Sequence, residues 1–147
     1  MSKPPHILVV EARFYESISD QLAEGALAEL ERQGATYERF TVPGALEIPA
    51  AIAMAHKNTL RHFDGYVALG CVIRGETTHY DTVCNESVRG LQELALSHLL
   101  PIGNGILTVE NTAQAFARAS VEEMDKGGGA ARACIVMVNL KRQLGLS

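Results

Sequence analysis

Ile7-Leu8-Val9-Val10 is a run of apolar residues too short for a helix and without the polar alternation of a half-buried strand. It reads as a strand covered on both faces, the position a strand takes inside a parallel sheet. Working outward, Ile18, Leu22, Ala26 and Leu30 recur every fourth residue between about Tyr15 and Gln33, with Glu and Gln between them. That spacing predicts an amphipathic helix, closed by Gly34 as its left-handed residue. Tyr37–Val42 reads as a second strand, ended by Pro43-Gly44, and a helix is expected from near Ala45 to about Asn58. Tyr66-Val67-Ala68-Leu69 opens a third strand, with Gly70 to Gly75 read as the turn beyond it. The spacing of Val88, Leu91 and Ala95 predicts a helix from about Thr78 to Leu99, and Pro101–Val109 a fourth strand. Thr112–Met124 and roughly Ala130–Leu144 are alanine-rich and helical in propensity, with Lys126-Gly127-Gly128-Gly129 read as a break between them.

Strands and helices alternating at this spacing imply right-handed crossovers and a parallel sheet covered on both sides. The expectation is a three-layer αβα sandwich with a four-stranded parallel sheet, in one domain spanning residues 1–147. In such sheets ligands bind beyond the carboxyl ends of the strands, so the turns after Val10, Val42, Leu69 and Leu107 are where chemistry belongs.

Composition narrows the classes of function. The chain is 47% hydrophobic and 20% charged, which is ordinary for a folded globule. Thirteen Lys and Arg against seventeen Asp and Glu give a net charge of −4, with no basic run to follow a phosphate backbone, so nucleic acid is not expected as a partner. The apolar runs are strand-sized and Met1–His6 lacks the pattern of a signal peptide, so no membrane association and a cytoplasmic location are expected. Cys71, Cys84 and Cys134 are odd in number and far apart, which points to reduced thiols and to no metal site.

The motifs fall where the sheet places chemistry. No G-x-G-x-x-G or Walker-type loop follows a strand, so neither a dinucleotide nor ATP is expected. In Glu11-Ala12-Arg13-Phe14, Phe14 stands at a strand's carboxyl edge, where it either offers a face to a planar ring or lids the core. Glu47, in Val42-Pro43-Gly44-Ala45-Leu46-Glu47-Ile48-Pro49, is a lone carboxylate in an apolar segment at a turn-to-helix junction. It either accepts hydrogen bonds from a polyhydroxylated ligand or complements the helix dipole. The densest block is Gly70-Cys71-Val72-Ile73-Arg74-Gly75-Glu76-Thr77-Thr78-His79-Tyr80, which leaves a strand and enters a helix. Helix-start amides with Thr77 and Thr78 suit a phosphate, and His79 beside them is either a proton-transfer group or a capping residue. His6, His56, His62 and His98 lack such neighbours and read as surface or capping residues. Arg118 and Lys126 read, by position alone, as solvated helix charges.

Together these blocks closely resemble the lumazine synthase family over nearly the whole chain, from Glu11-Ala12-Arg13-Phe14 to Asp125-Lys126-Gly127. Val-Pro-Gly-Ala-x-Glu-Ile-Pro at 42–49 and Gly-x-Val-Ile-Arg-Gly-x-Thr-x-His at 70–79 carry the likeness, continued by Cys84-Asn85-Glu86 and Gly105 to Asn111. The resemblance implies a flavodoxin-like fold and a transferase of riboflavin biosynthesis. That enzyme condenses 5-amino-6-(D-ribitylamino)uracil with 3,4-dihydroxy-2-butanone 4-phosphate to 6,7-dimethyl-8-ribityllumazine, phosphate and water, with no cofactor. On the family pattern Phe14 stacks on the pyrimidine, Ala45, Leu46 and Glu47 hold the ribityl chain, and Cys71, Val72 and Ile73 meet the uracil edge. Glu76, Thr77 and Arg118 match the phosphate site, His79 the proton-transfer residue, and Lys126 an electrostatic helper. The family also implies a homopentamer with sites at subunit interfaces, completed by a neighbour's fourth strand and following helix. Because only Met1–His6 precede the first strand, a free pentamer is expected in place of a sixty-subunit shell.

Two positions depart from the pattern. Asn104 stands where many members have an aromatic residue closing over the ligand from the neighbour, and Cys71 where threonine is frequent. Asn104 replaces stacking by hydrogen bonding, which predicts altered affinity and retained chemistry. A non-catalytic flavin or lumazine binder would suit loss of His79, Arg118 or Thr77, all of which are present. A Schiff-base aldolase would need Lys126 in an apolar pocket, and its glycine-rich surroundings read as too open for that.

Overall fold

The computed structural model describes residues 3–147. The first residues of the Met1–His6 segment, on which the expectation of a free pentamer rests, therefore lie outside the described residues. The element order is β1 (His6–Ala12), α1 (Glu16–Arg32), β2 (Thr36–Val42), a 3-10 turn (Ala45–Glu47), α2 (Ile48–Lys57), β3 (Gly65–Ile73), α3 (His79–His98), β4 (Ile102–Val109), α4 (Thr112–Ala119) and α5 (Lys126–Gln143). The strands form one parallel sheet in the order β2-β1-β3-β4. It is the expected three-layer αβα sandwich. Among the described residues no helix is long and apolar enough to cross a membrane.

Two cores hold the layers together. On one face Ile7, Val9 and Val67 pack against Leu22 and Leu30 of α1, Ala115 of α4 and Ala131 and Cys134 of α5. On the other, Leu8, Val10 and Ala68 meet Ile48 and Ile52 of α2 and Val83 and Leu91 of α3. Successive side chains of β1 alternate between these two cores, which is why Ile7–Val10 is apolar throughout. Gly34 adopts φ 76°, and the Ala35 amide beyond it returns to the Leu30 carbonyl, so α1 closes as its sequence predicts.

Two readings along the chain need correction. β3 does not end at Leu69: Gly70, Cys71, Val72 and Ile73 stay in the ladder opposite Ile106–Val109 of β4. The ladder to β4 satisfies this backbone, so Gly70 marks no turn. The Gly127–Gly129 run is likewise no break, since it forms the first turn of α5, whereas α4 stops early at Ala119. A Cβ on Gly127 would come within 2.1 Å of the Leu22 carbonyl oxygen of α1. The glycine is there for close helix approach, and Asp125 caps the turn by accepting from the Gly128 amide at 3.2 Å.

Strand order runs from β1 to β2 on one side and from β1 to β3 on the other. The sheet therefore splits at its carboxyl end between β1 and β3, the point where open α/β sheets present a crevice.

Candidate active site

A cleft of about 440 Å³ opens at that split. β1 ends in a turn that delivers Phe14, 75% exposed, with its ring edge-on to Tyr15 at 4.9 Å between centroids. Beyond β2, Pro43-Gly44 ends the strand and Ala45–Glu47 coils into the 3-10 turn, closed by the Glu47 amide on the Gly44 carbonyl at 3.1 Å. Leu46 and Glu47 are thereby presented to the cleft. The Glu47 side chain makes no capping hydrogen bond to α2 and stands exposed, which leaves its carboxylate oxygens available to a ligand.

The floor comes from the extension of β3 that the glycine concealed. Cys71 is buried, with Val72 and Ile73 half-buried beside it. Burial pushes the Cys71 thiol up to about 11, so it lines the cleft as a neutral group and is no ready nucleophile. After Ile73 the chain turns through Arg74–Thr78 into α3, whose first residue is His79. Thr77 accepts from the His79 amide at 3.3 Å, and both residues line the cleft. The His79 ring is exposed at the positive end of the α3 dipole, an arrangement that suits an anion.

Arg74 ties this loop down. Its amide donates to the Val109 carbonyl at 2.9 Å, its Nε to Glu110 at 2.5 Å, and its guanidinium lies 4.3 Å from the centre of the Tyr80 ring. Tyr80 also lines the cleft, as does Tyr15. Neither tyrosine was singled out from sequence. Each directly follows a residue that was, and only the turn geometry shows that both neighbours reach the same space.

Phe14, Ala45, Leu46, Glu47, Cys71, Val72, Ile73, Thr77 and His79 thus surround one cleft. Four of the expected site residues do not line it within this chain. Glu76 is exposed on the loop outside the lining. Asn104 is exposed on the edge strand β4, its Oδ1 accepting from the Ile106 amide at 2.9 Å. Arg118 lies half-buried at the end of α4, bonded to the Gln114 carbonyl at 3.2 Å, and Lys126 is exposed at the start of α5. Among the described residues, the lining of the cleft consequently contains no Lys or Arg.

The comparisons agree in one direction. The family model described as 6,7-dimethyl-8-ribityllumazine synthase matches residues 4–142. A 6,7-dimethyl-8-ribityllumazine synthase of Agrobacterium fabrum is 62% identical over 148 residues, covering 99% of this chain and 99% of the relative. One of Bartonella henselae is 57% identical, over 97% of this chain and 92% of its own. The 6,7-dimethyl-8-ribityllumazine synthase 1 of Rhizobium meliloti is 59% identical, over 97% of this chain and 95% of its own.

Proposed function

The chain belongs to the 6,7-dimethyl-8-ribityllumazine synthase family, and from that premise we propose how its cleft performs the family's reaction. It is a transferase of riboflavin biosynthesis that condenses 5-amino-6-(D-ribitylamino)uracil with 3,4-dihydroxy-2-butanone 4-phosphate, giving 6,7-dimethyl-8-ribityllumazine, phosphate and water. The single observation that carries the assignment of roles is the cleft itself, where an aromatic face, a free carboxylate and a helix-start histidine border one space.

In this reading Phe14 stacks on the pyrimidine, while Glu47, with the Ala45 and Leu46 backbone, receives the ribityl hydroxyls. Cys71, Val72 and Ile73 supply backbone groups at the uracil edge. The phosphate of the second substrate sits at the α3 N-terminus against Thr77 and the backbone amide of Glu76, which brings its carbonyl to the pyrimidine's free amine. The amine adds to that carbonyl and water leaves, forming an imine between the two substrates. His79 moves the proton that water loss and phosphate departure require, and the ribitylamino nitrogen then closes the second ring on the carbonyl left by phosphate loss, releasing a second water. Holding two reactants in register supplies much of the acceleration, so side-chain acid catalysis need only be modest.

A dianionic substrate needs a fixed cation, and among the described residues the lining offers no Lys or Arg. We therefore assign Arg118, with Lys126 as helper, to the cleft of a neighbouring subunit, together with Asn104 over the bound ring. A homopentamer is the assembly proposed. Five subunits follow from the family likeness, and a contact with another subunit is supported by an apolar groove of about 390 Å³ beside the β4 edge, bordered by Leu96, Leu99, Met137, Leu140 and Leu144. Exposed leucines in that number mark a surface made to be covered. The three free thiols fit a reducing cytoplasmic setting.

Single-turnover absorbance with both substrates tests the proposal, comparing wild type with His79→Ala and Arg118→Ala. Lumazine formation above the spontaneous rate, weakened in Arg118→Ala most at low phosphate-substrate concentration, is expected. Bound lumazine or flavin with no rate above background would instead make the protein a binder.

A further inference from the structure

Glu11 is an ionisable side chain in a place that burial normally forbids. It lies at the carboxyl end of β1, 2% exposed, on the α1 side of the sheet. Two guanidinium groups compensate it. Arg39 of β2 donates from Nε to Oε2 at 2.7 Å and from Nη2 to Oε1 at 3.0 Å, and Arg13 donates from Nη1 to Oε1 at 2.8 Å. Arg13 does not stop there: its Nη2 reaches Glu16 at 3.2 Å and also Asp20, both on α1. Its side chain, 19% exposed, is consequently fixed by three carboxylates.

Phe14, the next residue, has the opposite character. With three quarters of its surface exposed, the ring has little packing of its own to hold it. Its neighbours hold it instead: Arg13 on one side by charge, Tyr15 on the other by packing against the core under α1. Anchoring both neighbours fixes the backbone from which the Phe14 ring projects, and the ring itself lies edge-on to Tyr15 at 4.9 Å, so a ligand that stacks on it has less freedom to remove.

We propose that Arg13 is a positioning residue, held by Glu11, Glu16 and Asp20 so that the adjoining Phe14 is preset as the stacking platform of the cleft. Arg39 serves a different end, keeping the buried Glu11 compensated. The inference rests on the reading of Phe14 as the face that meets the pyrimidine. A network that merely welded β1, β2 and α1 together would treat the two arginines alike; a positioning role separates them.

The test measures KM for each substrate, kcat and thermal midpoint on the assembled protein. Arg13→Met is expected to raise KM for the pyrimidine substrate about two- to tenfold, the equivalent of ordering one side chain on binding, with kcat and KM for the phosphate substrate near wild type. Arg39→Met should lower the midpoint and leave both KM values in place. Arg13→Lys keeps the charge but not the three-way bonding, should fall between wild type and Arg13→Met, and carries the same test if Arg13→Met fails to assemble. Equal KM changes in Arg13→Met and Arg39→Met, or none in either Arg13 variant, would overturn the proposal. Phe14→Ala separates the two layers of inference. A silent Phe14→Ala sinks the stacking reading and this inference with it, while a raised pyrimidine KM in Phe14→Ala beside silent Arg13 variants sinks this inference alone.

Discussion

Gly103 of β4 lies so close beneath α5 that a Cβ built on it would come within 1.8 Å of the Ala130 carbonyl oxygen. The obstacle is helix backbone, which cannot swing aside. Gly103→Ala is therefore expected to cost about 3 kcal/mol or more in urea unfolding, through displacement of α5 from the sheet. Gly129→Ala, on the same helix but facing open space, should gain about 0.5–1 kcal/mol. Equal effects of the two would mean that α5 is not seated as described.

Stability should fall through the alkaline range. Burial raises the Cys71 thiol from 9.0 to about 11, the Cys134 thiol from 9.0 to about 12 and the Tyr66 phenol from 10.0 to about 12. Between about pH 9 and 12 the unfolded chain has released protons that the folded chain still holds, so each step up in pH favours unfolding. Cys134→Ala should flatten that descent by at most about 1.4 kcal/mol per pH unit. Denaturant melts at a series of pH values would show it, and an unchanged slope would count against an ionisation-linked loss at Cys134.

Glu47→Gln keeps the shape of the side chain and removes its charge. Since Glu47 makes no capping bond within the chain, the thermal midpoint should barely move. Gln keeps one acceptor oxygen, so only the charge assistance, roughly 1–1.5 kcal/mol, is lost and KM for the ribityl substrate should rise about five- to tenfold. A large loss of stability with unaltered KM would return Glu47 to a purely structural role.

If Arg118 serves the neighbour's cleft, two defective variants should repair each other. His79→Ala and Arg118→Ala, co-assembled in equal amounts, would leave about a quarter of interface sites with both native residues. Activity of the mixture above that of either variant is the expected outcome. No recovery from demonstrably mixed oligomers would place both residues in one subunit's site.

The alternation of strands and helices was legible because burial leaves a periodic trace. Ile7–Val10 is apolar throughout because its two sides meet two cores, and Ile18, Leu22, Ala26 and Leu30 share one face of α1. The blocks at 42–49 and 70–79 were equally legible as segments at strand ends, and the structure brings both to one cleft. Glycine was where the reading failed. Gly70 and Gly127–Gly129 look like turns in one dimension, yet one continues a ladder and the others permit a helix crossing.

Periodicity and motif by themselves determined the layers of this protein, the end of the sheet at which the cleft opens and the residue types gathered there. Only tertiary structure decided that Tyr15 and Tyr80 share the cleft, that Glu11 is neutralised by Arg13 and Arg39, and that Arg118 and Lys126 stay outside their own chain's cleft. The physical reason is range. Periodicity records how each residue meets the nearest layer, whereas ion pairing and cleft lining depend on residues far apart in sequence, such as Glu11 and Arg39, whose meeting is set by strand register.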